Sequence, residues 1–149
     1  MQSFTKLKII NYNEIKKPLM EVIIMGKFAV KQTKTGTKFN LKAGNGEIIL
    51  SSEVYASEKS CLNGIESVKK NAPIAPVEDQ TKEGFAVEKC PKFEVYTDKK
   101  GEFRFRLKAK NGQNIGASEG YKSIKSCLNG IESVKKNAVD SPTVKEEEK

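Results

Sequence analysis

Apolar positions along the chain first alternate, then recur at helical spacing, and the whole succession is run twice. Phe28 and Val30 occupy one face of a predicted strand. After a turn at Thr35-Gly36, Phe39, Leu41 and Ala43 occupy one face of a second strand. Asn45-Gly46 then predicts a two-residue hairpin, because both central residues of a type I′ turn need positive φ. Ile49 lies in a third strand. A helix follows, with Ser57 as N-cap and Tyr55 placed to pack on its first turn. Cys61, Leu62, Ile65 and Val68 fall at i, i+1, i+4 and i+7, an apolar stripe for a sheet. Gly64 inside that helix costs about 1 kcal/mol relative to Ala, so it predicts a close approach of helix to strands. Lys69-Lys70 suit the negative end of the helix dipole.

The second pass repeats these features residue for residue. Ser60–Ala72 and Ser126–Ala138 both read SCLNGIESVKKNA, thirteen identical residues at an offset of 66. Phe105, Leu107, Ala109, Ile115, Tyr121 and Ser123 keep that offset, whereas Phe93 and Val95 match Phe28 and Val30 at 65. One residue has therefore been gained near the Lys100-Gly101 turn, and Phe103 extends the apolar face of the second strand. Ile48 becomes Asn114 and Leu50 becomes Gly116, the freedom expected of a solvent-facing or partner-facing side. The chain divides into an N-terminal extension (1–24), a first repeat (25–72), a linker (73–91), a second repeat (92–138) and a tail (139–149). Prolines at 73 and 76 stop the first helix. An extended segment able to pair with a sheet edge is expected in the linker or after the second helix, and the tail's end is expected to be frayed.

The residues Gly101–Ala109 (GEFRFRLKA), Asn111-Gly112, Ala117–Tyr121 (ASEGY) and Asn129–Ala138 (NGIESVKKNA) resemble the signature of the YegP-like family, small bacterial proteins of uncharacterised function. The first copy carries the same signature at Phe39–Ala43, Asn45-Gly46, Ser51–Tyr55 and Asn63–Ala72. The resemblance implies a β3-α-β unit, two of which share one sheet and exchange their C-terminal strands. The expected fold is thus α+β: two tandem β-β-β-α(-β) repeats forming one pseudo-twofold antiparallel sheet, with a helix from each packed on it. The family brings no active site to carry over.

Composition narrows the function. A repeat of about fifty residues is near the lower limit for closing a core alone, and pairing two copies lifts that limit. With no histidine, three cysteines and no CxxC spacing, the sequence offers neither a disulfide framework nor a zinc knuckle. It carries no GxxxxGK[ST] loop, no HExxH and no Ser/His/Asp set, so an enzyme is not expected and no cofactor is implied. Met1–Ile24 has Asn11, Asn13, Glu14 and lysines where a signal peptide is apolar, and no run is long enough to span a bilayer. A reduced, cytoplasmic setting is expected. Cys61 and Cys127 read as small buried hydrophobes, while Cys90, before Pro91, reads as exposed.

Most of the formal charge of +8 arises between residues 85 and 138, where twelve basic side chains meet six acidic ones. In Phe103–Lys108, strand alternation sends Phe103, Phe105 and Leu107 to one face and Arg104, Arg106 and Lys108 to the other. Lys38 and Lys42 hold the matching positions of the first copy. No aromatic is expected beside these cations, so the face would hold phosphates without stacking bases. The leading reading is a non-enzymatic interaction module that binds a protein partner, the chain being a monomeric intramolecular pseudo-dimer. The alternative is an accessory nucleic-acid binder using a basic strand face of Lys42, Arg104, Arg106 and Lys108.

Overall fold

A computed structural model describes residues 26–146; the readings of Met1–Ile24 as an extension and of the tail beyond Glu146 as frayed fall outside that range. The first copy runs β1 (Lys27–Gln32), β2 (Thr37–Lys42), β3 (Ile48–Ser51) and α1 (Glu58–Asn71), then a 3-10 turn (Ala72–Ile74) and β4 (Val77–Asp79). The second runs β5 (Lys92–Thr97), β6 (Phe103–Lys108), β7 (Asn114–Ala117), α2 (Ile124–Asp140) and β8 (Thr143–Glu146). All eight strands form one sheet, ordered β4-β5-β6-β7-β3-β2-β1-β8. The six inner strands are antiparallel; the two outermost pairs, β4 with β5 and β8 with β1, are parallel. No helix among the described residues is long and apolar enough to cross a membrane.

Each outer strand belongs to the opposite copy. β4 leaves the first helix and pairs with β5, while β8 leaves the second and pairs with β1. The two crossings match atom for atom: Phe93 N–H donates to the Pro76 carbonyl and Phe28 N–H to the Pro142 carbonyl, both at 2.8 Å. Within the sheet the copies otherwise meet edge to edge through β3 and β7, which share the single register pair Ser51–Ala117.

Both helices lie on the face that carries Phe28, Val30, Phe39, Leu41, Phe93, Val95, Phe105 and Leu107, all 2 % exposed or less. Each such side chain taken from water contributes roughly 1.5–3 kcal/mol, so the core draws about equally on both copies. Ser57 and Ser123 cap the helices by accepting the N–H of Ser60 and Ser126. α2 is three residues longer because Val139 stands where Pro73 ends α1. The stripe is narrower than its spacing predicts: Cys61, Ile65 and Val68 are buried, but Leu62 and Leu128 stay 37 % and 36 % exposed at its rim.

The turns differ from expectation in one respect. Gly46 and Gly112 have φ of 88° and 86°, but no non-glycine among the described residues has positive φ, so these are not type I′ turns. Gly46 N–H donates to the Ala43 carbonyl and Ala43 N–H to that of Glu47, the pattern of a three-residue loop closed by a left-handed glycine. Asn45 and Asn111 instead accept the N–H two residues ahead. The residue gained in the second copy lies between Asp98 and Glu102: Asp98 N–H reaches the carbonyl of Glu102, four residues on, whereas Thr33 N–H reaches that of Gly36, three residues on.

The register shift after Leu41 and Leu107 lets consecutive side chains of the third strand turn inward. Ile49 and Leu50 are both buried, at 5 % and 0 % exposure. Of the two expectations for the varying side, solvent-facing or partner-facing, Leu50 is thus not the first: it packs over Gly116 across the junction between copies.

The helical glycines seat the tyrosines. A methyl group at Gly64 or Gly130 would fall inside the Tyr55 or Tyr121 hydroxyl, and each ring stacks on Phe39 or Phe105 with centroids 6.3 and 6.2 Å apart. The close approach is thus to the tyrosines that follow the third strands, as well as to the β2 and β6 phenylalanines. Gly64→Ala gains about 1 kcal/mol of helix propensity but overpacks a stiff, stacked ring, at a cost of about 1–3 kcal/mol. Urea unfolding is expected to show a net loss of about 1 kcal/mol, partly recovered by Tyr55→Phe; a net gain would mean the ring moves aside freely.

Candidate functional site

Among the described residues, both helices pack on one face of the sheet and none lies on the other. Register assigns Lys27, Ala29 and Lys31 of β1, Lys38, Asn40 and Lys42 of β2, and Val144 and Glu146 of β8 to the first half of that open face. The second half carries Glu78 of β4, Lys92, Glu94 and Tyr96 of β5, and Arg104, Arg106 and Lys108 of β6. Position for position, Lys27 corresponds to Lys92, Ala29 to Glu94, Lys31 to Tyr96, Lys38 to Arg104, Asn40 to Arg106 and Val144 to Glu78.

In the second half the cations are matched by acids. Lys92 Nζ lies 2.8 Å from Glu78 Oε1 and 3.2 Å from Glu94 Oε2, and Arg106 Nε donates to Glu94 Oε1 at 2.6 Å. Arg104 Nε donates to Asp98 Oδ2 at 2.7 Å, and its guanidinium also reaches the Ser118 carbonyl at 3.2 Å. Asp98 takes the N–H of Lys100 and Glu102 as well, so the turn fixes the acid that holds Arg104. Lys108 makes no ion pair among the described residues. One aromatic does stand beside these cations, against expectation: Tyr96 shares the face, with the Arg106 guanidinium 4.4 Å above its ring.

Glu78 is the deepest member of this network, 2 % exposed. Burial alone would push its carboxyl up. Hydrogen bonds from Lys92, from Gln80 and from the Glu88 N–H outweigh it and bring the pKa from 4.5 down to about 2. The last of these, at 2.7 Å, places Glu88 of the inter-copy linker against the open face at the sheet's edge. Burial also opposes ionisation of Glu94, and Arg106 and Lys92 together still hold it below its ordinary value.

The first half resolves the same positions differently. Val144 beside Ala29 replaces the buried acids, and Asn40 replaces the arginine; its buried Oδ1 accepts no hydrogen bond. Lys42 pairs with Glu146 at 2.8 Å, and that hydrogen bond holds the carboxyl below its usual range, with Lys27 and Lys31 adding to the effect. Among the described residues Lys27, Lys31 and Lys38 form no ion pair. Four lysines thus face one carboxylate in the first half, whereas three acids meet four cations in the second.

Of the four residues singled out from sequence, Arg104, Arg106 and Lys108 lie together on β6 and Lys42 lies in the other half, two strands beyond the β3–β7 junction. Sequence reasoning missed Lys27 and Lys31, although they alternate against Phe28 and Val30. It also missed the acids Glu78, Glu94 and Asp98. Elsewhere on the sheet, a cleft of about 320 Å³ at the β3–β7 junction is lined by Ser51, Glu53, Arg104, Asn114 and Glu119, among others. Cys61 and Cys127 are fully buried; burial, aided by nearby Glu58 and Asp79 respectively, pushes both thiols up to about 11. Cys90 is half-buried rather than exposed. No group of three metal-ligating side chains occurs among the described residues.

These features define a class: a strand-exchanged pair of β3-α-β repeats under one sheet, with paired charges on the face away from the helices. A family described as a domain of unknown function (DUF1508) matches residues 34–79 and again 98–144. The UPF0339 protein YegP of Yersinia pestis is 46 % identical over 118 residues, spanning 78 % of this chain and 92 % of that protein. YegP of Escherichia coli K12 is 40 % identical over 116 residues, 78 % and 91 % of the two chains. The solution NMR structure of E. coli YegP superposes with a TM-score of 0.66 at 37 % identity, covering 83 % and 94 % of the two chains. That of a UPF0339 protein from Shewanella oneidensis gives 0.65 at 35 % identity, over 80 % and 90 %. The chain belongs to the YegP-like UPF0339 family, whose function is not established.

The Glu78 network sets a pH dependence. Its folded pKa of about 2 lies below 4.5, so the unfolded chain takes up the proton first. The stabilisation is complete above the unfolded value and is lost as pH falls through the folded one. Denaturant midpoints between pH 6 and 2 are expected to fall with pH, and to fall less steeply in Glu78→Gln. Equal slopes would place the acid sensitivity elsewhere.

Proposed function

We propose that the protein is a non-enzymatic interaction module whose first-copy open face docks a protein partner with an acidic surface. One observation carries this reading: the same strand positions are neutralised internally in the second copy and left basic in the first. A charge held by a neighbouring carboxylate has little to offer a ligand, whereas Lys27, Lys31 and Lys38 stand around Ala29, Asn40 and Val144 without such a partner among the described residues. Lysines without internal carboxylates suit a carboxylate-bearing polypeptide surface, steering encounter by charge.

The alternative, an accessory nucleic-acid binder using Arg104 and Arg106, draws less support. Both guanidiniums are engaged by carboxylates within 2.7 Å, and Tyr96 lies under Arg106 rather than open to stack on a base. Lys42 and Lys108 could still contribute phosphate contacts. They are neighbours of neither the same half nor the same ion pair.

Capture from nuclease-treated native extract separates the two readings. The wild-type chain is expected to retain an acidic protein, with Lys27→Ala/Lys31→Ala/Lys38→Ala reducing recovery at least tenfold and Arg104→Ala/Arg106→Ala leaving it within about twofold. If nuclease abolishes capture, or the arginine pair matters more than the lysine triple, the nucleic-acid reading takes its place.

A further inference from the structure

The two copies are alike enough that a first copy ought to pair nearly as well with another first copy as with a second. Their helices share thirteen identical residues, and Phe28/Phe93, Phe39/Phe105, Leu41/Leu107 and Tyr55/Tyr121 repeat the core. At the junction of β3 and β7, however, the repeat is broken at one buried position: Leu50 in the first copy is Gly116 in the second. Leu50 is 0 % exposed, and a Cβ built at Gly116 would lie 2.6 Å from Leu50 Cγ and 2.7 and 2.9 Å from its two methyl carbons. The leucine of one copy therefore occupies the volume in which a side chain of the other would sit. The φ of Gly116 is not positive, so backbone conformation does not demand glycine there.

We infer that Leu50 and Gly116 are a knob and a hole that restrict this surface to an unlike partner: the junction edge of each copy fits the opposite copy and rejects its own kind. Two first copies would bring two leucines into a space for one, and two second copies would leave that space empty. Both outcomes are costly in a close-packed interior, and specificity is the difference between them and the mixed pair.

The exchanged edges favour the same pairing. β4 delivers Glu78 beside β5, where Lys92 receives it, and β8 delivers Val144 beside β1, where Ala29 leaves room for it. A second copy paired with its own kind would set Val144 against Glu94 and leave Lys92 without Glu78. Three positions, otherwise free to match between copies, thus differ in a complementary way.

The full-length chain tests this directly, because single substitutions recreate the like–like junctions within one molecule. Gly116→Leu makes the leucine–leucine junction and Leu50→Gly the glycine–glycine junction; the double variant restores a mixed junction with the knob on the other side of the pseudo-twofold. Each single variant is expected to lower Tm by about 10 °C. The double variant, identical in composition to the wild type, is expected to recover at least half of the summed loss. Losses that simply add, or a Gly116→Leu chain as stable as the wild type, would overturn the inference. Should Gly116→Leu fail to fold, folding of the double variant supports the knob and hole. If neither folds, Gly116→Ala decides: it is expected to cost less Tm in a Leu50→Ala background than alone, and an equal cost in both backgrounds counts against the pairing.

Discussion

The structure depends on a backbone crossing. The outer edge of each copy's outermost long strand finds no partner in its own repeat: β1 is completed by β8 and β5 by β4, each secured where the carbonyl of Pro142 or Pro76 accepts the N–H of Phe28 or Phe93. A strand edge left open at those phenylalanines would expose unpaired backbone beside the largest buried side chains of each half. A unit of three strands and one helix is also near the lower size limit for an adequate core. The exchange meets both requirements at once, which is why the duplication is a physical need of this fold. The parallel pairing of the outermost strands follows from strand direction: β4 runs opposite to β3 and therefore along β5, and β8 runs opposite to β7 and therefore along β1.

With the scaffold secured by exchange, the two halves of the open face were free to diverge, and they did so in opposite senses. The second copy gathered arginines together with the acids that hold them. The first kept lysines around Ala29 and Val144, of which only Lys42 is ion-paired among the described residues, with Glu146. Sequence composition points to the second copy as the basic one, but among the described residues most of the open-face cations without an internal carboxylate, Lys27, Lys31 and Lys38, lie on the first. Buried ion pairs such as Glu78–Lys92 need not add net stability over apolar groups of similar volume, and the first copy shows the apolar alternative in the same sheet.

Much of the architecture was legible in the sequence. Repetition located the six inner strands, both helices and both serine caps, because these features rest on neighbours a few residues apart; the exchange of the two outer strands was implied only by the family resemblance, and their places were left open. The misreadings share a cause. Leu50 was assigned by strict alternation to a solvent-facing or partner-facing side opposite Ile49, and the bulge that buries both depends on pairing with β2. Leu62 was assigned to the helix stripe by spacing, yet it stays partly exposed at the stripe's rim. Asn-Gly occurs in both two- and three-residue hairpins, so the dipeptide alone does not choose between them. The candidate site was less legible still: Arg104 and Arg106 were visible as cations, whereas the acids opposite them come from a turn and from a neighbouring strand. Glu78 reaches Lys92 on a strand contributed by the first copy, which no local pattern announces.

The central claim is that exchange makes the two copies one cooperative unit. Native-state hydrogen exchange of the Phe28 and Phe93 amides tests it most directly. Both amides are expected to open only with global unfolding, at the same free energy as the core amides of α1 and α2, and to shift together when either copy is destabilised. An opening of one crossing at markedly lower free energy, with the other copy still protected, would contradict the account.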